Sequence, residues 1–364
     1  MEIEAAVIRE HGRFEIVTVD LDDLRPGEVR VKIAAVGICH TDLGVLDGHI
    51  PWKLPAIVGH EGAGVVEAVG EGVSKVVPGD HVVMSFASCG HCARCEQGEV
   101  AYCDSFVPLN FLGSRADGSA THRLSGEPVS APFFYQSSFA THAIASERNV
   151  VKVAHDLPFE LVAPLGCGVQ TGAGAVLNRL KPEPGSTIVL FGMGAVGLSA
   201  VLAASHCRCS TIVAVDLVDS RLDLAREFGA THVVRGDAPD LVEQIRKIAT
   251  GGFDYAVEAT GRPDVMVTAT QLLRKAGQVV LLGVAGGRQI PFGADILRGI
   301  TIHTSIEGDS DPEIMIPALI DLYRNGKFPF DRMIQTFAFA DINEAVSSSR
   351  DGTAVKPVLL MGEG

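Results

Sequence analysis

With 364 residues the chain is too long for one ordinary core, and it predicts two domains. Nearly half of its residues are apolar, and its net charge of −14 argues against a face that binds duplex nucleic acid. The N-terminal MEIEAAVIREHGRFEI carries charge throughout rather than a secretory apolar core, and no run is long enough for a membrane span, so a cytoplasmic protein is expected.

In chain order, residues 1–168 hold short apolar strands such as EVRVKIAAVG, AGVVEAVG and DHVVMSF, separated by Gly, Pro and Asp turns. This predicts a mostly antiparallel, Greek-key-like or barrel-like domain. A cysteine-rich lobe interrupts it at about residues 88–104. Residues 169–306 read differently. There TIVLFG, TIVAVD, THVV, FDYAVEAT, QVVLLGV and ITIHTSI alternate with helical segments, one from about 194, one at SRLDLAREFGA, and others around 238–250, 264–275 and 293–298. Strands apolar on both faces and separated by helices predict an α/β, doubly wound parallel sheet. Residues 307–364 end in VKPVLLM, a strand with no obvious partner in the second domain, and are expected to return to the first.

VLFGMGAVG sets Gly192, Gly194 and Gly197 in G-x-G-x-x-G order between a strand and a helix. The first glycine suits a tight turn, the second close approach of a pyrophosphate, and the third close packing of helix on strand. Asp216, closing TIVAVD, is placed to accept hydrogen bonds from an adenosine ribose and to repel a 2′-phosphate. NAD rather than NADP is the expected cofactor; a glycine-rich structural turn is the plainer alternative.

Cys89, Cys92, Cys95 and Cys103 lie within fifteen residues of a chain that has eight cysteines. Four thiolates in one excursion can close a tetrahedral zinc shell, which is structural chemistry. Free or disulfide cysteines suit a reducing compartment poorly, and a zinc finger that reads DNA is opposed by the acidic charge. Other ligand types are scattered: Cys39 in GICHTD, His60 and Glu61 in GHEGAG, and Cys167 in PLGCGVQTG. Each alone reads as a buried thiol or a core histidine. Together they are a candidate Cys/His/Cys set with an open fourth position.

GICHTD, GHEGAGVVEAVG, the four-cysteine lobe, GCGVQTGAGAV and the glycine turn occur in the order seen in zinc-dependent medium-chain alcohol dehydrogenases, and the resemblance covers essentially the whole chain. FFYQSSFATHA and EGDSDPEIMIPALIDLYRNGKFPF resemble the aryl (benzyl) alcohol dehydrogenase branch. The resemblance implies a GroES-like catalytic domain and a Rossmann domain. It implies two zinc ions per chain, with Cys39, His60 and Cys167 holding the catalytic one and the four-cysteine lobe the structural one. Glu61 would stand beside the catalytic zinc, Asp42 would orient His60, and Thr41 would bond the substrate oxygen and pass its proton on. Thr171 and Val196 would pack on the nicotinamide, His40 and Lys356 would face the pyrophosphate, and Arg221 the adenosine ribose. The substrate wall would include Ile50, Phe86, Phe133, Phe134, Val284 and Ile306, with Phe133 and Phe134 otherwise read as core and Trp52 equally ambiguous.

The expected reaction is reversible oxidation of a primary aromatic or allylic alcohol by hydride transfer to NAD+, in a homo-oligomer, dimer or tetramer. Aliphatic or terpenoid alcohols are the alternative substrates, and a non-catalytic dinucleotide-binding protein the alternative class. Dehydrogenases of this type often carry a histidine five residues after the first ligand cysteine, but Gly44 occupies that position here, so water or His49 would have to take the proton. His142, His206, Cys207 and Cys209 are read as structural.

Overall fold

In the computed structural model, residues 1–362 are described, the side chain of Asp295 excepted, and the elements below are those among the described residues. The chain divides into two compact units, one comprising Met1–Cys167, Asp311–Pro317 and Met333–Gly364, the other Gly168–Ser310 and Ala318–Arg332.

The first unit is built on ten early strands: β1 (Glu2–Ile8), β2 (Glu15–Leu21), β3 (Glu28–Gly37), β4 (Ala56–Ile57), β5 (Glu61–Val69), β6 (His81–Met84), β7 (His122–Leu124), β8 (Glu127–Val129), β9 (His142–Ser146) and β10 (Val150–Lys152). One sheet runs β4-β1-β2-β7-β8. The other centres on β3, which pairs antiparallel with both β5 and β9. β-Branched residues dominate these strands, and Val29, Val31, Ile33, Val36, Val58, Val66 and Val82 are buried in one core with Phe14, Phe139 and Leu359. Short helices sit between them: α1 (His40–Leu46), α2 (Ala93–Glu96), α3 (Phe106–Phe111) and α4 (Phe159–Val162).

The second unit opens with α5 (Gly168–Gly174) and holds six parallel strands. These are β11 (Thr187–Phe191), β12 (Thr211–Asp216), β13 (His232–Arg235), β14 (Phe253–Glu258), β15 (Leu273–Leu281) and β16 (Thr301–Thr304), arranged β13-β12-β11-β14-β15-β16. Helices α6 (Ala195–His206), α7 (Asp219–Glu227), α8 (Leu241–Ile248) and α9 (Pro263–Leu272) connect them. Counted from β11, the order is 3-2-1-4-5-6, that of a doubly wound dinucleotide-binding sheet.

The helix expected at 264–275 stops three residues early. β15 already begins at Leu273, because its first residues form an irregular segment that pairs Leu273 with Phe253 before regular register starts at Gln278. ITIHTSI is strand only over Thr301–Thr304, since Glu307, Gly308 and Asp309 all take left-handed φ values of 51°, 68° and 52°.

The chain then passes through α10 (Pro312–Arg324), β17 (Ile334–Ala338) and α11 (Ile342–Asp351) to β18 (Lys356–Leu360). β18 pairs antiparallel with β3, so the terminal strand is a member of the first unit's central sheet. Among the described residues no helix is long and apolar enough to cross a membrane.

Candidate active site and metal centres

Cys39 caps α1 in an extended conformation, and its N–H donates to Asp42 Oδ2 at 3.0 Å. The other Asp42 oxygen accepts the Gly59 N–H at 3.0 Å and faces His60 Nδ1 at 2.9 Å. Asp42 therefore fixes the start of the helix and the plane of the imidazole together. With Nδ1 engaged, Nε2 is the outward nitrogen, and it is buried without a hydrogen-bond partner. Gly59 makes this turn possible: its φ is +95°, and a Cβ there would lie 2.5 Å from the Phe139 nitrogen.

Glu61, the first residue of β5, is fully buried, and its carboxylate fills the space a Cβ on Gly37 would occupy, 2.0 Å from Oε2. Cys167 follows a 3-10 turn at Ala163–Gly166, which Ser85 tethers by donating its hydroxyl to the Gly166 carbonyl at 2.6 Å. Ligand atoms of Cys39, His60, Glu61 and Cys167 all lie within 4.8 Å of one another. A buried imidazole nitrogen with no protein partner, between two thiols and a carboxylate, is the donor chemistry zinc takes. Three of these groups would leave a position open for an oxygen ligand.

The electrostatics point the same way. A hydrogen bond to the Cys167 thiol, with the His60 and Lys356 charges, outweighs burial and holds Cys39 well below the usual thiol range. Burial works to lower His60, but the Asp42 and Cys39 charges overcome it and raise the imidazole. Burial pushes Glu61 up, opposed by Lys356.

Lys356, expected to face the pyrophosphate, is held against Glu61 at the head of β18. Its ammonium is buried and donates to Glu61 Oε1 and Oε2 at 2.9 and 2.8 Å and to the Ile38 carbonyl at 3.1 Å. Those bonds take all three donor sites. The reason is topological: β18 enters beside β3 with Lys356 as its first residue, and a carboxylate buried there needs a partner of opposite charge.

The four-cysteine lobe also gathers. Cys89, Cys92, Cys95 and Cys103 bring their sulfurs within 4.8 Å of one another, and none is in a disulfide. Cys89 and Cys95 stand 4.0 Å apart. Sulfurs around a tetrahedral zinc at about 2.3 Å would be separated by roughly 3.8 Å. The thiols are unequal without a metal. Backbone N–H groups of Asp104 and Cys95 draw Cys92 down to about 6, and burial pushes Cys103 up to about 12.

Above His60 is an aromatic wall. Phe134 stacks on the imidazole with ring centroids 4.4 Å apart and an interplanar angle of 21°, while Phe133 meets it edge-on at 5.5 Å. Trp52 and Phe111 pack edge-on against Phe133 at 5.0 and 5.7 Å. Phe133 and Phe134 are both buried, as is Phe86, whose ring lies 5.6 Å from Phe106. The backbone here is strained: Phe134, Tyr135 and Ser137 have φ of 50°, 49° and 50°. Each left-handed residue bearing a side chain costs about 1–2 kcal/mol, so the surrounding hydrogen bonds must hold the segment in place.

In the second unit the glycine turn joins β11 to α6. A Cβ on Gly192 would meet Thr260, and one on Gly197 would lie 1.8 Å from the Gly192 carbonyl, whereas Gly194, at the helix N-cap, faces open space. This is the room a pyrophosphate needs beside helix N–H groups. Asp216 ends β12 and accepts from the Met193 and Val218 N–H groups at 2.5 and 2.9 Å. Arg221, a turn into α7, keeps its Nε buried without a partner. The open glycine, the carboxylate and the unpaired guanidinium nitrogen fit a dinucleotide. Thr171 donates to Glu307 at 3.3 Å, and α5 is packed so tightly on α6 that a Cβ on Gly172 would lie 1.9 Å from the Val196 carbonyl. Asp216→Ala is expected to weaken NAD+ binding and to relieve repulsion of the NADP+ phosphate. Titration of both cofactors checks this, and a wild-type preference for NADP+ would overturn it.

The remaining expected residues are distributed as follows. Thr41 sits on the first turn of α1 with its hydroxyl 3.7 Å from the Cys39 sulfur, and His40 is exposed. Ile50 is half-buried against Gly44. Val284 and Ile306 belong to the second unit, where they are 83% and 39% exposed. Sequence reasoning missed Phe111 and Gln136. A lone glutamine inside the apolar FFYQSSFA was the available signal for the second.

Fold and donor set together are those of a zinc-binding dehydrogenase. The family described as alcohol dehydrogenase GroES-like domain matches residues 25–155, and zinc-binding dehydrogenase matches residues 195–324. Geraniol dehydrogenase of Castellaniella defragrans is 44% identical over 98% of this chain and 97% of its own length. The crystal structure of an alcohol dehydrogenase zinc-binding domain protein from Burkholderia ambifaria superposes with a TM-score of 0.96 at 46% identity, covering 100% of both chains. That of benzyl alcohol dehydrogenase from Acinetobacter calcoaceticus gives 0.95 at 44%, again over 100% of both. The chain belongs to the zinc-dependent alcohol dehydrogenase family.

Proposed function

We propose that this dehydrogenase oxidises primary aromatic or allylic alcohols to aldehydes with NAD+, using Cys39, His60 and Cys167 as the ligands of a catalytic zinc. The observation that carries the reading is the buried, partnerless His60 Nε2, set among two thiols and a carboxylate and covered by the Phe134 ring. Zinc bound there would lower the pKa of an alcohol hydroxyl towards neutrality. Thr41, whose hydroxyl lies beside the Cys39 sulfur, would take the hydroxyl proton. Phe133 and Phe134, both buried against His60, would keep water from this side of the metal site and give the substrate pocket an aromatic lining. The Gly192–Gly197 turn and Asp216 would hold NAD+, which accepts hydride, and Thr171 and Val196 would flank its nicotinamide.

Two of the named relatives are a geraniol dehydrogenase and a benzyl alcohol dehydrogenase, and in both alcohols the reacting carbon adjoins a π-system, geraniol being at once allylic and terpenoid. Steady-state rates for benzyl alcohol, cinnamyl alcohol, geraniol and ethanol with NAD+ test the reading. Ethanol matching the other three would sink it.

The position that carries the relay histidine in many such enzymes is Gly44 here. No side chain there can act as the final base, so oxidation is expected to be fastest at alkaline pH, with water carrying the proton out. Gly44→His should move the pH–rate profile towards neutrality. A Cβ at this site would lie 2.8 Å from Ile50 Cδ1, so the substitution is best paired with Ile50→Ala. An unchanged profile, with a solvent isotope effect showing proton transfer to be partly rate-limiting, would redirect attention to the exposed His49.

A further inference from the structure

Gln136 is fully buried, and every polar position of its amide is used. Nε2 donates to the His60 carbonyl at 3.0 Å and to the Ser85 carbonyl at 3.1 Å, and Oε1 accepts the Gly62 N–H at 3.2 Å. Its partners are not arbitrary core groups. His60 and Gly62 flank Glu61 at the start of β5. Ser85 holds the Gly166 carbonyl next to Cys167. One side chain therefore reaches both arms of the donor set. It also sits between Tyr135 and Ser137, inside the left-handed run that carries Phe134.

Other bonds brace the same run. Asn149 donates from Nδ2 to the Ser85, Phe134 and Tyr135 carbonyls, each at 3.2 Å, and Ser137 donates its hydroxyl to the Ile57 carbonyl at 2.6 Å. The Phe134 N–H donates to the Asn110 carbonyl at 2.8 Å, and the Tyr135 hydroxyl reaches Glu28 at 3.3 Å. Strained, non-glycine backbone persists only where its surroundings over-determine it, and it gathers at functional sites. Of these braces, Gln136 is the one that bonds the backbone on both sides of Glu61, at His60 and at Gly62.

We infer that Gln136 is a positioning residue for the catalytic centre: by clamping the left-handed segment across β5 it presses the Phe134 ring onto the His60 imidazole, which holds that ligand's plane and fixes the substrate wall. Asp42 grips the imidazole by its edge, and Phe134 grips it by its face. A buried core amide that merely satisfied its neighbours would support the fold but would affect neither metal retention nor the choice of alcohol. The inference rests on the donor set and aromatic-alcohol reading proposed above.

The test uses the zinc-loaded protein. Gln136→Leu keeps the volume but removes all three bonds, and Phe134→Leu keeps the apolar wall but removes the stack. Release of each zinc to a chelator is followed, together with kcat/KM for benzyl alcohol and ethanol. In Gln136→Leu, release of one zinc should quicken by about tenfold while the other is unchanged, as expected when a partner that orients a ligand is lost. The benzyl-to-ethanol ratio should fall by a similar factor. Phe134→Leu should reproduce both changes, and the double variant should be no worse than Gln136→Leu alone. If Gln136→Leu does not fold, Gln136→Glu, which keeps the Gly62 bond and loses both donations, replaces it. Unchanged release in the Gln136 variant, or parallel loss with both alcohols, overturns the inference. A wild-type enzyme without preference for benzyl alcohol removes the aromatic reading, while the release comparison still decides the role of Gln136.

Discussion

Replacing Cys167 by alanine is expected to abolish alcohol turnover while leaving dinucleotide binding intact. The thiol is buried beside Cys39 and is the largest influence holding that residue's pKa down, so its loss removes one donor and weakens a second. Lewis-acid activation by a bound metal supplies several kcal/mol of transition-state stabilisation, which is on the order of a thousandfold in rate. The glycine turn and Asp216 lie in the other compact unit and are untouched by the substitution. NADH binding followed by fluorescence should therefore match the wild type, while zinc analysis shows about one metal fewer. Substantial residual turnover with full zinc occupancy would refute the assignment of Cys167.

Cys95→Ala should have a different signature, a loss of stability rather than of chemistry. The lobe between Cys89 and Cys103 contains only the four-residue helix α2, which buries no residue, and a three-residue 3-10 turn that reaches the core through Val100 and Ala101. A closed metal shell is then the main source of its order, and opening that shell costs folding free energy directly. A loss of a few kcal/mol in a unit of this size lowers the melting temperature by on the order of 5–10 °C. Cys209→Ala, at a buried thiol outside both groups, is the control: it should keep both metals. A Cys95→Ala protein that retains both zincs and its melting temperature would mean that the lobe is no metal site.

Much of this was legible in the chain, for identifiable reasons. The parallel sheet announces itself because its strands are apolar on both faces and alternate with helices, a pattern set by local sequence. The four-cysteine lobe is local as well. Cys39, His60 and Cys167 were different: spacing could not join them, so their chemistry made them only a candidate set, and the resemblance made them ligands of one zinc. The pairing of Lys356 with Glu61 was not legible, because it depends on where the last strand enters a sheet formed hundreds of residues earlier. The aromatic wall was half legible. Phe133 and Phe134 stood out, but their direction depends on left-handed backbone at residues with ordinary side chains, which no propensity favours. Phe111, on a short helix elsewhere, had no reason to be grouped with them.

The Lys356–Glu61 pair also bears on how the protein is made. Glu61 is synthesised 295 residues before Lys356, the residue that neutralises it, on β18. Until that strand docks on β3, the first unit would have to bury a carboxylate with no counter-charge, which is costly enough to resist closure. Growing chains ordinarily fold their N-terminal domain first. Here that order is expected to be reversed: the second unit's sequence is translated in between and would close on its own contacts, while the first waits for β18. A product released before residue 356 would lack the partner of Glu61, so prematurely terminated chains would be left with an open first unit for proteases to recognise rather than a half-active enzyme.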